Sequence, residues 1–269
     1  MEQLDNKVAV VTGGTQGLGA AIVTLMAERG AAGIVTCGRN ADKGGALAST
    51  IRSETGSDVR FVQADLASVD DCHAVIAAAD DAFGKVDILV NAAGKTDRGT
   101  ILDTSPELFD AMFAINTRAP FFLIQDAAKI MRREGNGGAI VNIGSMSAMG
   151  GQPFIAAYCA SKGALATMTR NTAYSLMRDR IRVNGLNIGW MATEGEDRIQ
   201  REYHGAADDW LEKAAAEQPF GRIIDPMDVA RAVAFLVTGE SGFMTGSVVN
   251  YDQTIWGAYD DAQTPATPL

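Results

Sequence analysis

The stretch Thr12-Gly13-Gly14-Thr15-Gln16-Gly17-Leu18-Gly19 limits what this chain can fold into more than any other. The apolar run Val8-Ala9-Val10-Val11 leads into it and reads as a buried parallel strand. Leu18, Ala21, Ile22, Leu25 and Met26 then recur at helical spacing, so a helix begins near Gly17. A strand, a Gly-rich turn and a helix N-terminus together make a phosphate site. Glycine lets the backbone approach an anion, and the unpaired N–H groups and positive dipole end of the helix face it. A tight strand-to-helix turn also needs glycine for packing alone, so the turn gains its meaning from the rest of the chain.

Beyond the first helix, strands and helices alternate. Strands are predicted at Gly33–Cys37, Val59–Val62 and Val86–Val90, with helices over 42–54 and 69–82 between them. The second half continues with a long helix from Pro106 to Arg133, a loop at 135–138 and a strand at Ala139–Ile143 that leads to Ser145. A helix over 155–177, a strand at Arg182–Ile188, a helix over 226–237 and a strand at Ser247–Asn250 complete the pattern. This is a Rossmann-type α/β arrangement: one domain over 1–258, a doubly wound parallel sheet of about seven strands with helices on both faces. Ligands of such sheets bind beyond the carboxyl ends of the strands, which nominates Thr12, Arg39, Asp65 and Asn91. The polar stretch 190–218, with a helix near 207–217, reads as a lid over a substrate site, and 259–269 as a loose tail.

Charge and rare residues narrow the function. Net charge is −10 over 269 residues, which disfavours nucleic-acid and anionic-membrane binding. Cys37, Cys72 and Cys159 are odd in number and widely spaced, as expected of reduced thiols in a cytoplasmic protein. The two histidines, His73 and His204, form no zinc spacing with them, so no metal site is expected. Glu2 and Asp5 before a short apolar run fit neither a signal peptide nor a membrane span.

Tyr158 and Lys162 stand four apart on a predicted helix and share a face. An ammonium beside a phenol favours the ionised phenol, and such a pair can act as acid or base. Ser145 lies at a strand's carboxyl end, where a hydroxyl can bind a carbonyl oxygen. Asn116 sits inside a predicted helix, a mildly unfavourable place for asparagine. Each of these alone is an ordinary surface or core residue.

Together they resemble the short-chain dehydrogenase/reductase family over about residues 5–250. The features run in order: Thr12-Gly13-x-x-x-Gly17-x-Gly19, Asn91-Ala92-Ala93-Gly94, Asn116, Ser145 and Tyr158-x-x-x-Lys162. The resemblance implies that Tyr158 gives a proton to the substrate oxygen and Ser145 positions that oxygen. Lys162 lowers the Tyr158 pKa and holds the nicotinamide ribose, and Asn116 keeps a water in a proton relay. It implies cofactor contacts from Gly13, Thr15, Gln16, Gly17, Leu18, Gly19, Arg39, Asn40, Asp65, Leu66, Asn91, Ala92, Gly94, Ile188, Gly189 and Thr193. Ile188 stands where members usually have proline, which puts the rigidity of that loop in question. Family members that prefer NAD usually carry an acid where this chain has Gly38, so Gly38-Arg39 implies NADP(H), with NAD(H) as the lesser partner. Arg39 and Thr15 would reach the 2′-phosphate, and Gln16 brings no second positive charge.

The implied activity interconverts a carbonyl and a secondary alcohol. Ser147, Gln152 and Trp190 are candidate substrate contacts, with Met191, His204 and Trp210 open between pocket and packing. Seven acids against three bases in 194–213 favour a small free ketone, sugar or polyol over an acyl group on an acidic carrier protein. Carrier-bound 3-oxoacyl reduction stays a rival, as do a non-catalytic nucleotide-binding regulator and a lyase or epimerase on the same fold. Family members pair the helices at 106–133 and 155–177 with their copies, which implies a homotetramer. Met112, Phe113, Phe121, Phe122, Leu165, Met168 and Leu176 are the apolar positions that would serve it.

Overall fold

In the computed structural model, residues 3–257 are described; the tail expected at 259–269 lies outside them. The chain runs β1 (Val8–Thr12), α1 (Gly17–Glu28), β2 (Gly33–Gly38), α2 (Ala41–Thr55), β3 (Asp58–Gln63), α3 (Val69–Phe83) and β4 (Ile88–Asn91). It continues with α4 (Pro106–Phe113), α5 (Ala119–Glu134), β5 (Gly138–Ser145), α6 (Ala156–Leu176), β6 (Ile181–Ile188), α7 (Glu194–His204), α8 (Trp210–Ala216), α9 (Pro226–Val237) and β7 (Val248–Tyr251). The strands form one seven-stranded parallel sheet in the order β3-β2-β1-β4-β5-β6-β7. Chain order reverses between β1 and β4, so the crevice for a ligand opens there.

Alternate residues of the central strands enter opposite layers. Ala9, Val11, Ile88, Val90, Val141 and Ile143 pack with α1, α2 and α9, whereas Val10, Leu89 and Ile140 pack with α3, α5 and α6. Both faces are covered, which is why these strands read as unbroken apolar runs. The helices begin where side chains can cap them. Ser68 accepts from Asp71 N, Ser105 from Leu108 N ahead of Pro106, and Asp225 forms a capping box with Asp228 ahead of Pro226.

The structure departs from the sequence reading in four places. The segment 106–133 is not one α-helix; a π-helical turn, Ala114–Arg118, separates α4 from α5. Pro120 has no N–H for the Asn116 carbonyl, so a regular ladder cannot pass through. Second, α7 is a full helix in a polar stretch where a helix is expected only near 207–217. Third, β4 begins at Ile88 rather than Val86, because Asp87 turns its carboxylate to Val8 N (2.8 Å). Finally, Met112 and Leu165 lie in the chain's own core at 1% and 2% exposure and are not available to a partner. Among the described residues no helix is long and apolar enough to cross a membrane.

Candidate active site

β1 delivers the Gly-rich turn to the sheet edge, and Thr12 ties it there. The Thr12 hydroxyl accepts from Ala92 N and Ala93 N at 3.0 Å each, joining the turn to the segment that leaves β4. A Cβ on Gly13 would lie 2.9 Å from Ala93 Cα, and one on Gly19 would lie 2.2 Å from the Gly13 carbonyl oxygen. Only hydrogen fits at either position. Gln16 precedes α1 without a side-chain capping bond, and the first turn holds no acid, so its N–H groups stay open to an anion. Gly17 approaches Thr193, whose Cγ2 lies 3.5 Å from a Cβ built there, and Leu18 is buried in the core.

At the end of β2, a Cβ on Gly38 would lie 2.7 Å from Thr15 Cγ2, so the absent acid leaves room that Thr15 fills. Arg39 is exposed and its guanidinium has no partner among the described residues. Asn40 caps α2, its Oδ1 accepting from Lys43 N at 2.8 Å. Lys43 is one residue that sequence reasoning missed. Its Nζ donates to Gln16 Oε1 (3.0 Å) and to Glu194 Oε2 (3.1 Å), placing a second cation beside Gln16. Its position in the first turn of a capped helix, four residues after Arg39, was a legible signal.

Other predicted cofactor contacts serve the fold with their side chains. Asp65 Oδ1 accepts from Ala67 N (3.0 Å), and Leu66 is buried. Asn91, 2% exposed, donates to Asn142 Oδ1 at 2.8 Å and braces β4 to β5, leaving its own Oδ1 without a partner among the described residues. Leu66, Ala92 and Gly94 have no side-chain polar group, so a hydrogen bond from them to a ligand would come from backbone.

Ser145 ends β5 and Tyr158 and Lys162 rise from α6, all toward one place. Lys162 is 4% exposed; its Nζ donates to the Ile143 carbonyl (2.8 Å) and lies 5.8 Å from the Tyr158 ring centroid. Burial pulls the Lys162 ammonium down to about 8. Burial also pushes the half-buried Tyr158 phenol above its usual range, a hydrogen bond from Ser145 opposing it and Glu196 reinforcing it. Lys162 is not among the groups that shift the phenol here, so desolvation sets the direction. Asn116, fully buried in the π turn, pairs its amide with the Lys95 backbone in both directions (2.9 and 2.8 Å) and donates to Ser161 Oγ (3.0 Å).

Ile188 closes β6 between Ser145 on β5 and Tyr251 on β7, so the sheet supplies the rigidity that proline would give. Next to it, a Cβ on Gly189 would lie 1.7 Å from Asp252 Oδ1. Thr193 caps α7 by accepting from Glu196 N (3.1 Å). Above Tyr158 a cavity of about 720 Å³ opens, lined among others by Ser145, Ser147, Gln152, Trp190, Met191 and His204. Ser147 and Gln152 are hydrogen-bonded to each other. Trp190 donates to Glu196 and stacks on Trp210, whose own ring is in a small satellite core rather than the cavity wall. Glu196 and Arg98 also line the cavity, and no periodicity announced either.

A family model described as enoyl-(acyl carrier protein) reductase matches residues 13–253. Galactitol 2-dehydrogenase of Agrobacterium fabrum is 31% identical over 94% of this chain and 99% of its own length. Tetrahydroxynaphthalene reductase of Pyricularia oryzae is 32% identical over 93% and 89%. The crystal structure of L-sorbose reductase from Gluconobacter frateurii, complexed with NADPH and L-sorbose, superposes with a TM-score of 0.87 at 30% identity, covering 93% of this chain and 96% of that one. With the turn, the sheet order and the Ser-Tyr-Lys cluster in place, the chain belongs to the short-chain dehydrogenase/reductase family, as an NAD(P)-dependent oxidoreductase of alcohol and carbonyl groups.

Proposed function

We propose that the protein is an NADP(H)-preferring oxidoreductase that interconverts a carbonyl and a secondary alcohol on a small free ketone, sugar or polyol, with Tyr158 as acid or base. The observation that carries this reading is that Ser145 and Tyr158 line one cavity, with buried Lys162 beside Tyr158, its Nζ 5.8 Å from the ring centroid. When bound, the nicotinamide supplies or accepts the hydride. The remaining work falls to side chains. Ser145 orients the substrate oxygen, and Tyr158, kept protonated by burial, gives it a proton during reduction. In the oxidative direction Tyr158 must first lose that proton. Lys162 adds a positive charge behind the phenol below about pH 8. The 190–218 segment is a lid that excludes water.

The chain's residues fit a nicotinamide dinucleotide: α1 is open to a pyrophosphate, Gly13 and Gly19 admit close backbone approach, and Arg39 stands unpaired. Arg39 and Lys43 together support NADP(H), since Arg39 directly follows Gly38, where no acid stands, and Lys43 Nζ lies against Gln16 of the Gly-rich turn. The L-sorbose reductase complex with NADPH agrees in kind. Against carrier-bound substrates, Lys129, Arg132 and Arg133, the basic cluster a carrier would meet, are engaged by Asp126, Asp179 and Asp80 respectively. The pairs within 194–213 leave its net negative sign unchanged. A homotetramer is the proposed assembly; Phe121 and Tyr174 remain exposed on α5 and α6, and light scattering reads it directly.

The test is oxidation of NADPH and of NADH, followed by absorbance, with ketones, ketoses and acetoacetyl carrier protein. Turnover of free carbonyls with higher kcat/KM for NADPH is expected. Higher kcat/KM with NADH overturns the cofactor choice, and a preference of about tenfold for the carrier substrate overturns the substrate class.

A further inference from the structure

The cavity above Tyr158 holds a guanidinium with no anion. Arg98 leaves the β4 exit loop and stands over two rings, Phe154 and Tyr203, each centroid 5.3 Å from its Cζ. Its Nη2 donates to His204 Nε2 at 2.8 Å, so that nitrogen of His204 carries the lone pair. The Nε of Arg98 is buried without an acceptor, and no carboxylate among the described residues pairs with the group.

Carboxylates are near but engaged elsewhere. Asp97 accepts from Tyr203 Oη (3.0 Å) and from the Arg98 backbone N (2.9 Å), and pairs with Lys95 at 3.5 Å. Glu196 Oε1 accepts from Trp190 Nε1 and Gln200 Nε2 at 2.7 Å each. A guanidinium nitrogen buried without an acceptor is costly, and the planar fork of the group matches a carboxylate bidentately. The flanking rings and His204 hold it in place before any ligand arrives.

We propose that Arg98 is a specificity residue that binds a carboxylate on the substrate, which makes the substrate a short oxo or hydroxy acid, sugar acids included. This rests on the carbonyl–alcohol reading of the same cavity and names the substrate within it. Glu196, which lines the same cavity and bears on the Tyr158 phenol, repels a carboxylate from the catalytic side and so sets the substrate's direction. The acidic 190–218 surface does not oppose this. Salt screens its field over about 8 Å, whereas Arg98 acts in direct contact.

The experiment compares kcat/KM for an oxo acid and its methyl ester, in the native enzyme, Arg98→Gln and Arg98→Lys, with thermal midpoints as the folding control. One charge-assisted contact predicts that the native enzyme prefers the acid by about 10- to 100-fold. Arg98→Gln should bring the acid-to-ester ratio near one, through KM for the acid, and Arg98→Lys should restore part of it. A native enzyme indifferent to the carboxylate, or an Arg98→Gln variant that keeps the ratio, overturns the proposal. If no carbonyl is turned over, the functional reading fails instead. Calorimetric titration of the same oxo acid then decides Arg98 alone: binding lost in Arg98→Gln supports it, and equal binding overturns it.

Discussion

The turn at 12–19 and the segment 190–218 meet where Gly17 approaches Thr193, yet they are specified by different means. The turn is made by backbone: its glycines are demanded by approaches of 2.2 and 2.9 Å, and Leu18 and Gly19 are buried. The segment is made by side chains. No residue of α7 is buried, and its position depends on Thr193, on the Trp190–Trp210 stack and on ion pairs such as Lys43–Glu194. The half proposed to hold the dinucleotide has no room for a side chain at Gly13 or Gly19, while the half proposed to cover the substrate is assembled from replaceable contacts.

Glycine substitutions break this contrast most sharply. Gly19→Ala puts a methyl 2.2 Å from the Gly13 carbonyl, so the turn must shift and NADPH affinity should fall by at least about 100-fold. Gly205→Ala, in the other region, has φ of 61° but nothing within 4 Å of its new methyl. It should lower stability by only about 1 kcal/mol, read from denaturant midpoints, with NADPH affinity retained. Equal effects at the two sites would remove the distinction.

A smaller effect separates the two cations. Arg39→Gln should raise KM for NADPH by about tenfold or more and leave KM for NADH unchanged, as loss of one charge-assisted contact requires. Lys43→Gln should act in the same sense but more weakly, because Glu194 already shares its charge. Glu194→Gln frees Lys43 and should lower KM for NADPH, while costing less than about 1 kcal/mol, since both partners of the pair are exposed.

Lys162 gives a stability test of the buried floor. Its folded pKa is lowered from 10.5 to about 8, so the folded state sheds its proton before the unfolded state does. The burial penalty is fully present below about pH 8 and is relieved as pH rises toward 10.5. Stability relative to Lys162→Met should therefore rise across that window. A flat difference would mean that the ammonium is not desolvated.

Legibility in the sequence follows the same division. β1 and β5 were readable because both faces are covered, and the Tyr158–Lys162 pair because four residues make one helical turn. The helix α7 escaped because nothing in it is buried. Its evidence lies in ends rather than period: Thr193 as cap, Glu194, Glu196 and Asp197 in the first turn, Arg201 and His204 in the last, and Gly205 left-handed after it. The π turn was written in Pro120, which forbids a regular ladder at Asn116. Arg98 was not legible at all, since its meaning depends on Phe154, Tyr203 and His204, brought to it from distant parts of the chain. The direction of the Tyr158 shift was likewise a matter of burial, which spacing does not report.

The most direct measurement is Tyr158→Phe, assayed for turnover and for NADPH binding in the same preparation. The ring remains and only the hydroxyl is lost. NADPH should bind as before, while kcat falls by at least about 10²–10⁴-fold, the usual share of general acid catalysis. A variant that keeps about a tenth or more of the native kcat would show that another group supplies the proton.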